Sequence, residues 1–97
     1  MALFRPQAAK EYRLARDWYR IRAGETIAKQ FAAEVDAMIE RIESSPERFQ
    51  QYPGSFHRWA KLKRFPYLVI YETVEGVVVI TAIAHEKRSP GYWSKRP

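Results

Sequence analysis

The side chains best suited to chemistry crowd the end of this chain. Ala84-His85-Glu86-Lys87-Arg88-Ser89-Pro90-Gly91-Tyr92-Trp93-Ser94-Lys95-Arg96 gathers an imidazole, four cations and a Tyr-Trp pair in a stretch that Pro90 and Gly91 break. Cleaving RNA through its own 2′-hydroxyl needs a base for that hydroxyl, cations for the phosphorane charge and an acid for the 5′-oxygen. His85, Lys87, Arg88 and Tyr92 are of the types that fill those roles. A lone histidine at a strand end serves equally as a hydrogen-bonded structural residue, and Tyr92 and Trp93 suit packing of the tail onto apolar surface. A second candidate runs from Arg58 to Lys63, where alternation sets Trp59, Lys61 and Lys63 on one side of a strand and Arg58, Ala60 and Leu62 on the other. Turned outward, the first set is a basic groove able to neutralise phosphates and stack a base. The plainer reading of Lys61 and Lys63 is a solvated charge row that protects a sheet edge.

Other chemistries lack residues. Cysteine is absent, which removes thiolate catalysis, disulfides and Cys-based zinc sites, and the only histidines are His57 and His85. No metal and no cofactor are expected. There is no Ser-His-Asp arrangement and no Gly-rich phosphate loop, and paired carboxylates fall only on predicted helices. The 17 Lys and Arg against 11 Asp and Glu leave +6, unevenly placed. Met1 to Phe56 holds nine basic and eight acidic residues, whereas His57 to Pro97 holds eight against three. Such a field draws in nucleic acid, an anionic membrane or an acidic protein segment. MALFRPQAAK has no run long enough for a signal peptide and no stretch reaches the ~20 apolar residues of a membrane span, so a cytoplasmic protein with no membrane partner is expected.

The elements that must position these groups follow from the pattern. At 97 residues the chain is expected to be one domain over 1–97, α+β in class. Ala2 to Arg5 reads as a short edge strand. Pro6 suits a first helical position, and apolar residues recur at helical spacing from Gln7 to about Arg22, until Gly24 breaks the helix. Ala28, Phe31, Ala32, Val35, Met38, Ile39 and Ile42 then mark a second, amphipathic helix that Ser44-Ser45-Pro46 ends, with one further turn through Phe49. Tyr52-Pro53-Gly54-Ser55 is a loop. Three strands follow, Arg58–Lys63, Tyr67–Glu72 and Val77–Ala84, the last two joined by a hairpin at Glu75-Gly76. The order is β-α-α-β-β-β, a helical hairpin on an antiparallel sheet. Val77–Ala84 is apolar on both faces, so the sheet face away from the helices needs a cover, either the tail or a partner.

Taken together these segments resemble the RelE/ParE superfamily of type II toxin–antitoxin toxins. The resemblance spans nearly the whole chain. It rests on Trp18-Tyr19, on Phe31, Glu34-Val35 and Ile39, on Ser45-Pro46 and Phe49, and above all on Arg64-Phe65-Pro66-Tyr67-Leu68-Val69-Ile70-Tyr71 and Ala84–Trp93. It implies a microbial RNase-like sheet and a bacterial growth inhibitor neutralised by a cognate antitoxin that wraps it, in a toxin–antitoxin hetero-oligomer. It implies either of two targets. RelE-like members cut mRNA on the ribosome, which would use Lys61, Arg64, His85, Arg88 and Tyr92; ParE-like members poison DNA gyrase without chemistry of their own. Aligning Tyr71 with the end of the RelE-like Tyr-Arg-Leu-Val-Tyr strand puts Leu68 where the phosphate-binding Arg would stand. Ala82-Ile83-Ala84-His85-Glu86 matches a ParE-like step off the last strand. The ParE-like branch is therefore favoured, with Trp59, Lys63, Arg64, His85, Lys87, Arg88, Trp93, Lys95 and Arg96 as contacts to target or antitoxin, and a non-toxic binding module as a third reading.

Overall fold

The computed structural model describes residues 1–96. Its elements are β1 (Leu3–Phe4), α1 (Pro6–Ala23), α2 (Glu25–Ser44), β2 (Gln50–Gln51), β3 (Arg58–Lys61), β4 (Tyr67–Val74) and β5 (Val77–His85). Pro6 opens α1 with the fixed φ and missing N–H that this position tolerates. Gly24 both ends α1 and starts α2. At φ 96° it takes a conformation that L side chains resist, its N–H closing on the Arg20 carbonyl and its carbonyl receiving the Ala28 N–H. Of the apolar residues expected to bury on α2, all but Ala32 do so: Ala28, Phe31, Val35, Met38, Ile39 and Ile42. The stretch after α2 is a turn, Arg48 N–H to Ser45 carbonyl, as the sequence suggested.

The sheet order is β1-β5-β4-β3-β2, and the expected α+β architecture of a helical hairpin on a sheet holds with three corrections. Gln50–Gln51 adds a short strand that the sequence reading omitted, pairing with Trp59 and Arg58. The second is that β1 pairs with β5 in parallel while every other strand pairing is antiparallel, so the sheet is mixed rather than antiparallel. The third correction is the end of β3, which stops at Lys61. Lys63 and Arg64 turn away because the Glu34 carboxylate on α2 accepts both of their backbone N–H groups.

A bulge decides what each half of β5 faces. Ile70 pairs with Ala82 but Tyr71 with Ile80, leaving Thr81 as the extra residue. Val78 and Ile80 therefore face the helices before it and Ile83 after it, while Ala82 and Ala84 face outward. Between helices and sheet lies the main core of Phe31, Val35, Ile39, Ile42, Leu62, Val69, Tyr71 and Ile80. The outer face carries a smaller cluster, Ile70, Ala82 and Ala84, covered by Trp93 with Tyr52, Trp59 and Leu68 around it. Of the two covers considered for that face, it is the tail that lies there.

Candidate binding site on the C-terminal tail

The tail leaves β5 at His85 through a turn, Arg88 N–H to His85 carbonyl, and goes on through three more, Tyr92 N–H to Ser89 carbonyl, Ser94 N–H to Gly91 carbonyl and Arg96 N–H to Trp93 carbonyl. None of these is regular structure, as Pro90 and Gly91 dictate. What fixes the tail is burial and charge. Trp93 is 2% exposed, its ring 5.0 Å from Tyr52 and 4.7 Å from His57. Beside it, the Tyr92 ring is flanked by two guanidinium groups, Arg88 at 3.9 Å and Arg96 at 5.0 Å. The Tyr92 hydroxyl donates to Glu11 Oε2 at 2.6 Å. Arg96 forks onto the same carboxylate, Nη1 to Oε1 at 2.8 Å and Nη2 to Oε2 at 2.9 Å. Arg88 Nη1 stands 3.8 Å from Oε2. Burial raises the Tyr92 phenol above its ordinary range and the Glu11 hydrogen bond raises it further, against Arg88 and Arg96. It stays a protonated donor, already committed to a carboxylate.

The residues named as a nuclease set are only partly brought together. His85, Arg88 and Tyr92 line one cavity of about 270 Å³ with Glu11, Leu14 and Trp18. His85 faces α1 rather than the outer sheet, its ring 5.1 Å from Tyr67, and its Nδ1 accepts the Lys87 N–H at 3.1 Å. Lys61 projects from the exposed side and meets Glu86 at 3.2 Å. Arg64 lies apart on the helix side, with Nε 3.3 Å from Glu34 Oε1. Lys63 goes with it, both lining a groove against Ala37, Met38 and Arg41 on α2. The expected row of Trp59, Lys61 and Lys63 on one face is thus broken, since the strand ends before Lys63. Trp59 packs half-buried on the outer face. Arg96 is engaged by Glu11, and Trp93 is an anchor rather than a surface. Lys87 and Lys95 are exposed, and among the described residues neither forms an ion pair.

Two features escaped the sequence reading, and a third was read only as helical spacing, not as an exposed face. Glu11 is the first, because nothing local to α1 signals that its carboxylate is spoken for some 80 positions later. The second is a polar cluster under Trp93: His57 Nε2 lies 3.4 Å from Glu72 Oε2, which Arg5 Nη2 also binds at 2.9 Å. Burial holds the His57 imidazole below its ordinary range, Glu72 opposes that and Arg5 adds to it. The third is a stripe on α1 of Leu14, Trp18 and Ile21, which are 55%, 50% and 81% exposed. Its i, i+4, i+7 spacing was legible, as a second apolar face on a helix whose first face, Ala8 and Ala15, is buried.

Residues 2–90 match the model of the ParE toxin of type II toxin-antitoxin system, parDE. A solved structure described as the chromosomal ParDE TA system from P. aeruginosa contains a chain of the same fold, with a TM-score of 0.77 at 16% identity over 88% of this chain and 95% of that one. No curated protein matches. With most of its length matched by the family model, the chain belongs to the ParE toxin family, within the RelE/ParE superfamily of toxin–antitoxin toxins.

Proposed function

We propose that this ParE-family toxin arrests growth by binding DNA gyrase in the cytoplasm, without chemistry of its own, and that a cognate antitoxin silences it in a hetero-oligomer. The observation that carries the reading is the dispersal of the nuclease set. Arg64 is held by Glu34 on the helix side, the Tyr92 hydroxyl is held by Glu11, and Leu68 occupies the outer sheet face where a phosphate-binding cation would be needed. The exposed cations Lys87, Arg88 and Lys95 project from the tail, with Lys61 nearby, and form a surface suited to a carboxylate-bearing protein. For the antitoxin, the stripe of Leu14, Trp18 and Ile21 offers apolar area beside Arg22, whose guanidinium lies 5.2 Å over the Trp18 ring. An amphipathic acidic segment fits both features.

A second reading, ribosome-dependent mRNA cleavage, draws on the one cavity that His85, Arg88 and Tyr92 share. Purified protein assayed with gyrase and, in parallel, with translating ribosomes separates the two. Blocked supercoiling with intact mRNA is the expected result, and Trp18→Ser is expected to spare it while weakening antitoxin neutralisation about tenfold or more. Codon-spaced mRNA cuts that vanish with Arg88→Ala would overturn it, and no growth effect on expression would favour a non-toxic binding module.

A further inference from the structure

The open edge of β5 is closed in an unusual way. β1 ends at Phe4, and the last main-chain bond on that side is Arg5 N–H to the Ile80 carbonyl. Beyond it the Thr81 carbonyl and the Ile83 N–H point where a neighbouring strand would run. The Thr81 carbonyl accepts Arg96 Nη1 at 3.2 Å, and the Ile83 N–H donates to Glu11 Oε1 at 3.0 Å. An ion pair between α1 and the tail thus takes the place of the missing strand's peptide groups. Both Glu11 and Arg96 side chains are only 14% exposed, so their charge-assisted bonds are shielded from solvent. The hydrogen bonds the tail makes within itself are local turns; beyond Glu86, whose N–H donates to the Pro66 carbonyl, it is fastened to the body of the protein by Trp93, by the Glu11 carboxylate and by the Arg96 bond to the Thr81 carbonyl. Tyr92 and Arg96 also lie beyond residues 2–90, so the family match does not account for them.

We propose that Glu11 is the positioning residue of the tail: by clasping Arg96 and Tyr92 across the β5 edge it sets Arg88, stacked on the Tyr92 ring, and Lys95, next to Arg96, where they meet a carboxylate-bearing protein surface. Glu11 touches no target itself. The inference rests on the reading of the tail as the target-binding surface.

The test uses the full chain and reads two properties separately. Amide hydrogen exchange reports the clasp, at Ile83 and Arg96, against Val69 and Tyr71 in β4 as folding controls. The dose that halves gyrase supercoiling, together with growth arrest on expression, reports binding. Glu11→Gln is expected to cut protection at Ile83 and Arg96 at least about tenfold with β4 unchanged, and to raise the inhibitory dose at least about tenfold. Arg96→Gln opens the clasp from the other side, leaves Glu11 its Tyr92 and Ile83 donors, and serves if Glu11→Gln fails to fold; lost protection at position 96 and the same loss of potency are expected, with Ile83 protected by its remaining bond to Glu11. Glu25→Gln, which removes an exposed pair with Arg20, is expected to change neither. Wild-type protection of the tail in Glu11→Gln would overturn the clasp, and lost protection with unchanged potency would overturn its role in binding. A wild-type protein that arrests growth but spares gyrase refutes the gyrase reading alone, and potency is then read from growth. One that does neither refutes the binding role with it, while the exchange result still decides whether Glu11 holds the tail.

Discussion

The two faces of the sheet are covered by different means. On one side, two helices supply a continuous apolar layer in which Phe31 sits 5.2 Å from Tyr19 and Phe65 and 5.3 Å from Tyr67, ring to ring. On the other, an irregular tail covers Ile70, Ala82 and Ala84 with a single buried indole and is closed by charge. The first cover follows from periodicity and area: apolar residues at helical spacing have nowhere else to go. The second depends on a few directional contacts between residues far apart in the chain. A cover of that kind can present functional groups without forming a core of its own, which is why the exposed cations gather there.

The contrast makes graded predictions. Phe31→Ala, in the middle of the helix-side core, is expected to cost about 4–5 kcal/mol and to abolish cooperative unfolding near physiological temperature. Trp93→Ala removes a comparable side chain from the smaller cluster and is expected to cost about 3 kcal/mol, with helical circular dichroism retained. Equal losses at the two positions would show the faces to be energetically alike. Tyr71→Phe, which removes only the hydroxyl donated to the Pro46 carbonyl, is expected to cost about 1 kcal/mol in denaturant unfolding. The smallest effect is a pH dependence. His57, beneath Trp93, is kept neutral mainly by burial, so its folded pKa lies below the unfolded one. Above the unfolded value both states are neutral and the group is silent; as the pH falls through about 6.5 the unfolded chain takes up the proton first and stability declines. His57→Gln should flatten that part of the profile, and an unchanged slope would assign it elsewhere.

Legibility in the sequence divides along the same line. Both helices, the Gly24 break, the 75–76 hairpin and the core of α2 were readable because 3.6-residue spacing and turn residues are local signals. The bulge at Thr81 was not, since Val77–Ala84 is apolar throughout and carries no alternation for a slip in register to disturb. Gln50–Gln51 escaped because two polar residues give no strand pattern, and the parallel pairing of β1 with β5 escaped because strand direction across a helical hairpin has no local signal. Lys63 was misplaced by extending an alternation past the point where Glu34 captures the backbone. The tail's cations were visible as composition, but which of them are free was not. Lys87 and Lys95 differ from Arg96 only through a glutamate on the first helix, a relation no spacing encodes.

Native-state hydrogen exchange on the wild-type chain tests the two-cover account most directly. Amides of β4 and α2 are expected to exchange only through global unfolding, whereas Ile83, Ser94 and Arg96 exchange together through a smaller opening of lower free energy that leaves the helices and β4 protected. If the tail amides open only when the whole molecule does, the outer cover is part of the core and the comparison fails.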